Sequence, residues 1–158
     1  MSWLTILRKR EGFREAFANF EFERVARLAA RDVERLAGNA AIVRHRGKIE
    51  STINNAQRAR ELADEFGSLA AYFWRWEPAQ SARPAKITRE VLASMPTSAE
   101  STALSKDLKK RGWSFVGPTT IYAFMQAMGL VNDHIHACSV HGEVARARAR
   151  FKPPRQAA

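Results

Sequence analysis

Along most of this 158-residue chain, apolar residues recur at steps of three and four, and nothing alternates with period two long enough to propose a strand. That spacing lines one face of a helix. In "WLTILRKREGFREAFANF", Trp3, Ile6, Leu7, Phe13, Phe17 and Phe20 follow it with charges between. Val25, Leu28, Val33 and Leu36 continue it, then Ile49, Ile53 and Ala56, then Leu62, Phe66, Leu69 and Phe73. Three prolines between Glu77 and Ser98 interrupt the pattern, leaving a connector with one short helix near Ile87–Leu92. Thr97 and Glu100 have capping-box spacing before a helix that faces Leu104 and Leu108 inward, and Gly112 ends that helix. The fold class expected is all-α, one domain over residues 1–144, with a basic flexible tail over residues 145–158.

Charge narrows the class of partner. The chain has 26 Lys+Arg against 16 Asp+Glu, a formal net charge of +10. That excess suits a polyanion, nucleic acid before anionic membrane, although a solvated basic surface would share the composition. No apolar run approaches the roughly 20 residues that span a bilayer, so a membrane protein is not expected. The opening "MSWLTILRKREGF" is too short, and its charges too late, for a signal peptide. With Cys138 as its one cysteine the chain forms no internal disulfide, which fits a reducing compartment.

The stretch "KKRGWSFVGPTTIYAFMQAMG" reads as a helix end, a tight turn and a new helix. Gly117 is read as a permissive turn position and Pro118 as a first-turn residue. Thr119 and Thr120 leave amides and hydroxyls at the new helix's N-terminus, where the dipole favours an anion. Lys109, Lys110 and Arg111 lie just upstream. An ordinary αα-hairpin would show the same pattern. The net charge favours a hairpin gripping a DNA phosphate, a contact that positions the duplex without reading sequence.

"LSKDLKKRGWSFVGPTTIYAFMQAMGLVNDH" resembles the signature region of the bacterial DNA-3-methyladenine glycosylase I family. "SWLTILRKREGFREAF", "DVERL" and "IVRHRGKIESTINNA" match that family in the same order, from Ser2 to about Val144. The resemblance implies a helix-hairpin-helix glycosylase, with Phe115–Thr120 as the hairpin and Ile121–Gly129 as its second helix. It implies base-excision repair in a bacterial cytoplasm, the enzyme hydrolysing the N-glycosidic bond of 3-methyladenine in alkylated double-stranded DNA. The hairpin has no lysine to serve as a Schiff-base nucleophile, so no lyase step is expected. The methylated purine is already a good leaving group, and the pocket needs an aromatic face and a carboxylate. Trp3 takes the aromatic role by resemblance; read alone, it is better taken as a core tryptophan at helical spacing from Leu7, since large aromatics usually sit in cores. Tyr122, Phe124 and Met125 read as packing.

The family's glutamate precedes its Ser-Trp pair, and this chain begins Met1-Ser2-Trp3, so an N-terminally truncated domain or a start lying further upstream is expected. No catalytic residue is assigned. Asn132 stands in "VNDH", where many other helix-hairpin-helix glycosylases have aspartate. Asp133 and Glu11 are the fallback acids. His134 and Cys138 are spaced to share a helix face and suit two corners of a tetrahedral zinc. The resemblance implies a structural zinc with only two of its four ligands present here, and His141 is a candidate substitute. A non-catalytic DNA-binding helical module and a zinc-dependent interaction domain are the alternative functions. Ala41 stands where the family often has glycine.

Overall fold

A computed structural model describes residues 2–154, and every regular element among them is helical. The helices are α1 (Trp3–Arg8), α2 (Arg10–Ala16), α3 (Phe22–Val25), α4 (Ala30–Gly38), α5 (Arg46–Phe66), α6 (Leu69–Trp74), α7 (Arg89–Ser94), α8 (Ala99–Lys110), α9 (Pro118–Ala127) and α10 (His141–Arg150). They form two compact units. The first runs to Asp64 and takes in Gly112–Phe115; the second comprises Glu65–Arg111 and the chain from Val116 onward.

In the first unit, Phe17, Val25, Val33, Leu36, Ile42, Ile49, Ile53 and Ala56 form one buried cluster. Val33 and Leu36 on α4, and Ile49, Ile53 and Ala56 on α5, are residues that the three-to-four spacing nominates; Ile42, between those helices, is not among them. The periodic stretch at the N-terminus is cut twice. Lys9 ends α1 and begins α2, and Ala18, Asn19 and Phe20 pass through left-handed φ values of 51°, 55° and 58°. Such geometry costs an L-residue roughly 1–2 kcal/mol. It turns the chain and stacks the Phe20 ring on Phe17, with centroids 5.8 Å apart. Gly12 meets the turn at Ala41 so closely that a Cβ there would lie 2.5 Å from the Ala41 carbonyl oxygen. The position where the family often has glycine thus faces a glycine in this chain. At α4, the Ala29 N–H donates to the Asp32 carboxylate at 3.0 Å, and this bond leads the causes that hold Asp32 below the usual carboxylate range.

In the second unit, Leu104 and Leu108 of α8 and Ile121, Tyr122 and Met125 of α9 are buried, as are Leu130 and Val131 just beyond. The cap of α8 is Ser98, whose Oγ accepts from the Ser101 N–H at 3.1 Å, one residue beyond the expected Thr97–Glu100 box. Ser101 supplies the reciprocal bond, its Oγ accepting from the Ser98 N–H at 2.8 Å, so a hydroxyl does the work expected of the glutamate. The connector's short helix is α7, displaced two residues by its Thr88 cap.

The expected flexible tail is corrected over its first part. Residues up to Arg150 are helical in α10; Arg148 pairs with Glu77 at 2.5 Å, and Phe151 packs on Trp74 with centroids 4.7 Å apart. An ion pair and an aromatic contact give that segment the tertiary partners a frayed end lacks. Residues 155–158 lie outside the described residues.

Candidate nucleic-acid interface

Helix α9 begins at Pro118 with Gly117 as its N-cap, and no side chain caps it. The Gly117 carbonyl accepts from the Ile121 N–H at 2.9 Å, closing the first turn and leaving the Thr119 and Thr120 amides at an exposed helix start. The role given to Gly117 changes. Its φ of −64° and ψ of 158° suit any residue, and a Cβ there would meet nothing within 4 Å. The turn's glycine is Gly112, at φ 83°, in the left-handed conformation that ends a helix.

Of the three cations at the end of α8, Lys109 and Lys110 are exposed and have no ion pair among the described residues. Arg111 is occupied. Its guanidinium grips Glu65 at 2.6 and 3.2 Å and Asp107 at 2.8 Å, and lies 5.3 Å over the Phe66 ring and 5.5 Å over Tyr72. The Glu65 bond, ahead of the other contributions, raises its pKa further. Two carboxylates and two rings already engage the Arg111 fork, so the exposed lysines are the open cations at this helix end.

Trp3 heads α1 behind a Ser2 cap and is 84% exposed, which removes the core-tryptophan reading. Ile6 and Leu7 of the same helix line a 540 Å³ apolar cavity with Phe13, Phe17 and Phe20, but Trp3 itself does not line it. Neither fallback acid is available. Glu11 is exposed and bonded to Arg14 at 2.7 Å, and that bond, ahead of an opposing desolvation, lowers its pKa. Asp133 is nearly buried; it accepts from Tyr122 Oη and Gln126 Nε2 at 2.8 Å each and pairs with Arg83. Burial, ahead of its hydrogen bonds, raises the Tyr122 pKa. Tyr122 and Met125 are buried and Phe124 packs at a tilt against Phe73, all packing residues as read.

His134 and Cys138 lie between α9 and α10 rather than on a helix face. The loop still brings His134 Nδ1 to 3.6 Å from the Cys138 Sγ. Zinc bonds of about 2.3 Å to sulfur and 2.0 Å to nitrogen at a tetrahedral angle would hold the atoms about 3.5 Å apart. The pair fits two corners of a zinc site. No third His, Cys, Asp or Glu joins it among the described residues, so the closed site is not assembled there. His141 is turned otherwise, its Nδ1–H donating to the His134 carbonyl at 2.7 Å. Asn132 donates to the His141 carbonyl at 3.2 Å and caps this loop.

The groups that hold the 112–116 turn escaped the sequence reading. Asn55 of α5 clasps Ser114 reciprocally, its Nδ2 donating to the Ser114 carbonyl at 2.9 Å and its Oδ1 accepting from the Ser114 N–H at 3.0 Å. Asn54 donates to the Gly112 carbonyl at 2.9 Å, and the Ser51 and Ser114 hydroxyls meet at 2.7 Å. In the second unit the buried Ser105 hydroxyl donates to the Val116 carbonyl at 2.6 Å. The available signal was Ser51, Asn54 and Asn55, spaced three and four apart within "STINN" and so neighbours on one side of α5.

The described residues are all-helical, and solved structures that share this fold are DNA glycosylases. The chain aligns with 3-methyladenine DNA glycosylase I from Staphylococcus aureus at a TM-score of 0.79 and 36% identity, over 88% of this chain and 73% of that one. Residues 1–141 match the methyladenine glycosylase family model, and the chain belongs to that family. It is 44% identical over 139 residues to DNA-3-methyladenine glycosylase 1 of Escherichia coli, covering 87% of this chain and 73% of that protein. It is 40% identical to DNA-3-methyladenine glycosylase of Haemophilus influenzae, covering 87% and 74% respectively.

Proposed function

We propose that the chain hydrolyses the N-glycosidic bond of 3-methyladenine in alkylated double-stranded DNA, a base-excision repair step in the bacterial cytoplasm, with no lyase step. The family match across residues 1–141 carries this reading. In it α8, the turn and α9 act as a helix-hairpin-helix. The Thr119 and Thr120 amides hold a DNA phosphate between the exposed charges of Lys109 and Lys110, which neutralise the strand without reading it. The exposed Trp3 ring stacks on the cationic purine once it is flipped from the duplex. His134 and Cys138 supply two zinc ligands, and a bound ion would tie their loop to whatever donates the other two. That role is structural, and the bond-breaking step does not pass through the metal.

No residue is assigned as the catalytic acid, since Asp133 is consumed by three partners and Glu11 by arginines. That observation favours one second reading, a DNA-binding module without turnover. The test is chromatography of bases released from methylated duplex DNA. Release of 3-methyladenine is expected; salt-sensitive DNA binding with no release selects the second reading.

A further inference from the structure

Phe115 stands out among the exposed apolar residues. It is 57% exposed yet sits at φ 56°, a left-handed conformation that an aromatic residue adopts only at a cost. The conformation is imposed from the preceding residue, because Asn55 and Ser51 fasten both backbone groups and the hydroxyl of Ser114 to α5. A chain seeking only a turn here would place glycine or asparagine at residue 115. The strain instead displays a ring on the surface.

The ring has one aromatic neighbour, His45, edge-on with centroids 6.3 Å apart at 84°. His45 precedes α5, and its Nδ1 accepts from the Lys48 N–H at 3.2 Å, so the neutral ring carries its proton on Nε2. Arg44 and Lys48 flank it, exposed and without an ion pair among the described residues, whereas Arg46 is taken by Glu34 at 2.6 Å. An apolar face beside a fixed N–H donor and two open cations matches the alternation of deoxyribose and phosphate along a DNA strand.

We propose that Phe115 and His45 form a DNA-backbone contact on the first unit, the Phe115 ring lying on a deoxyribose and His45 Nε2–H donating to a neighbouring phosphate. This rests on the DNA-directed function proposed above, and it adds side-chain contacts to the phosphate grip of the α9 amides. Because the ring is uncharged, its share of affinity is insensitive to salt, unlike that of the lysines.

The experiment compares duplex affinity, across a salt series, for the wild-type protein, Phe115→Gly, Phe115→Asn and Phe115→Tyr. Glycine and asparagine tolerate the left-handed backbone, so their thermal midpoints should equal or exceed the wild type's. Their affinity should fall about tenfold, with the slope of log K against log salt unchanged, and tyrosine should retain affinity. Full affinity in both Phe115→Gly and Phe115→Asn, with salt-sensitive wild-type binding, overturns this contact alone. Wild-type protein that binds no duplex overturns the DNA-directed function and the contact with it. If both ring-less variants lose their fold, Phe115 is a packing residue and the proposal fails.

Discussion

At Gly112 and Gly117, two glycines five residues apart in one turn have different duties. Gly112, at φ 83°, should lose about 1 kcal/mol of stability on substitution by alanine, read from urea unfolding. Gly117→Ser should gain a few tenths of a kcal/mol, roughly the difference between glycine and serine as N-caps. The same hydroxyl would occupy the α9 amides, so duplex affinity should fall as stability rises; an unchanged affinity would place the phosphate elsewhere. Trp3→Ala should leave the thermal midpoint within error, since the side chain is 84% exposed. It should also cost about 1–3 kcal/mol in retention of 3-methyladenine, the scale of a lost stacking face. At this scale the sequence was legible in residue type and misleading in conformation. A glycine before proline looks like the strained position, but φ is a property of the whole turn. Arg111 likewise resembled its lysine neighbours until Glu65 and Asp107 were found around it.

Helices α4, α5, α8 and α9 were readable because each buries one stripe, and a stripe is written locally at helical spacing. The loop between α9 and α10 was not, because the Asn132 and His141 side chains hold it by donating to the His141 and His134 carbonyls, bonds that carry no periodicity. Nor was the left-handed turn at residues 18–20, which contains no glycine to announce it. The anchor of α8 is Asp107, which accepts from Tyr72 Oη at 2.6 Å and Arg111 Nε at 2.8 Å. Burial opposes its ionisation, but those bonds and the Arg111 charge outweigh burial and hold the carboxyl below the usual range. A group with a depressed folded pKa contributes stability that is present above its unfolded value, about 3.9. That stability is lost as pH falls through the folded value. The thermal midpoint should therefore drop steeply below about pH 4. Asp107→Asn should be less stable at pH 7 and flatter in acid, the two curves converging.

Across the whole molecule, a net charge of +10 is spread unevenly between occupied and open side chains. Lys109→Ala and Lys110→Ala should each reduce the slope of log affinity against log salt by about 1. Arg111→Ala should leave that slope alone and lower the thermal midpoint, because its charge is already spent on Glu65 and Asp107. The assignment of Gly112–Phe115 to the first unit also bears on the order in which the chain matures on the ribosome. Synthesis runs from the N-terminus, so α5 is complete long before Ser114 exists. Until then the Asn55 side-chain amide has no Ser114 to clasp, although the apolar cluster from Phe17 to Ala56 has already been made. A nascent chain released at residue 64 should therefore collapse around those side chains without reaching its final rigidity. Adding a peptide of residues 105–120 in trans should sharpen its amide spectrum at Asn55, and an Asn55→Ala fragment should not respond.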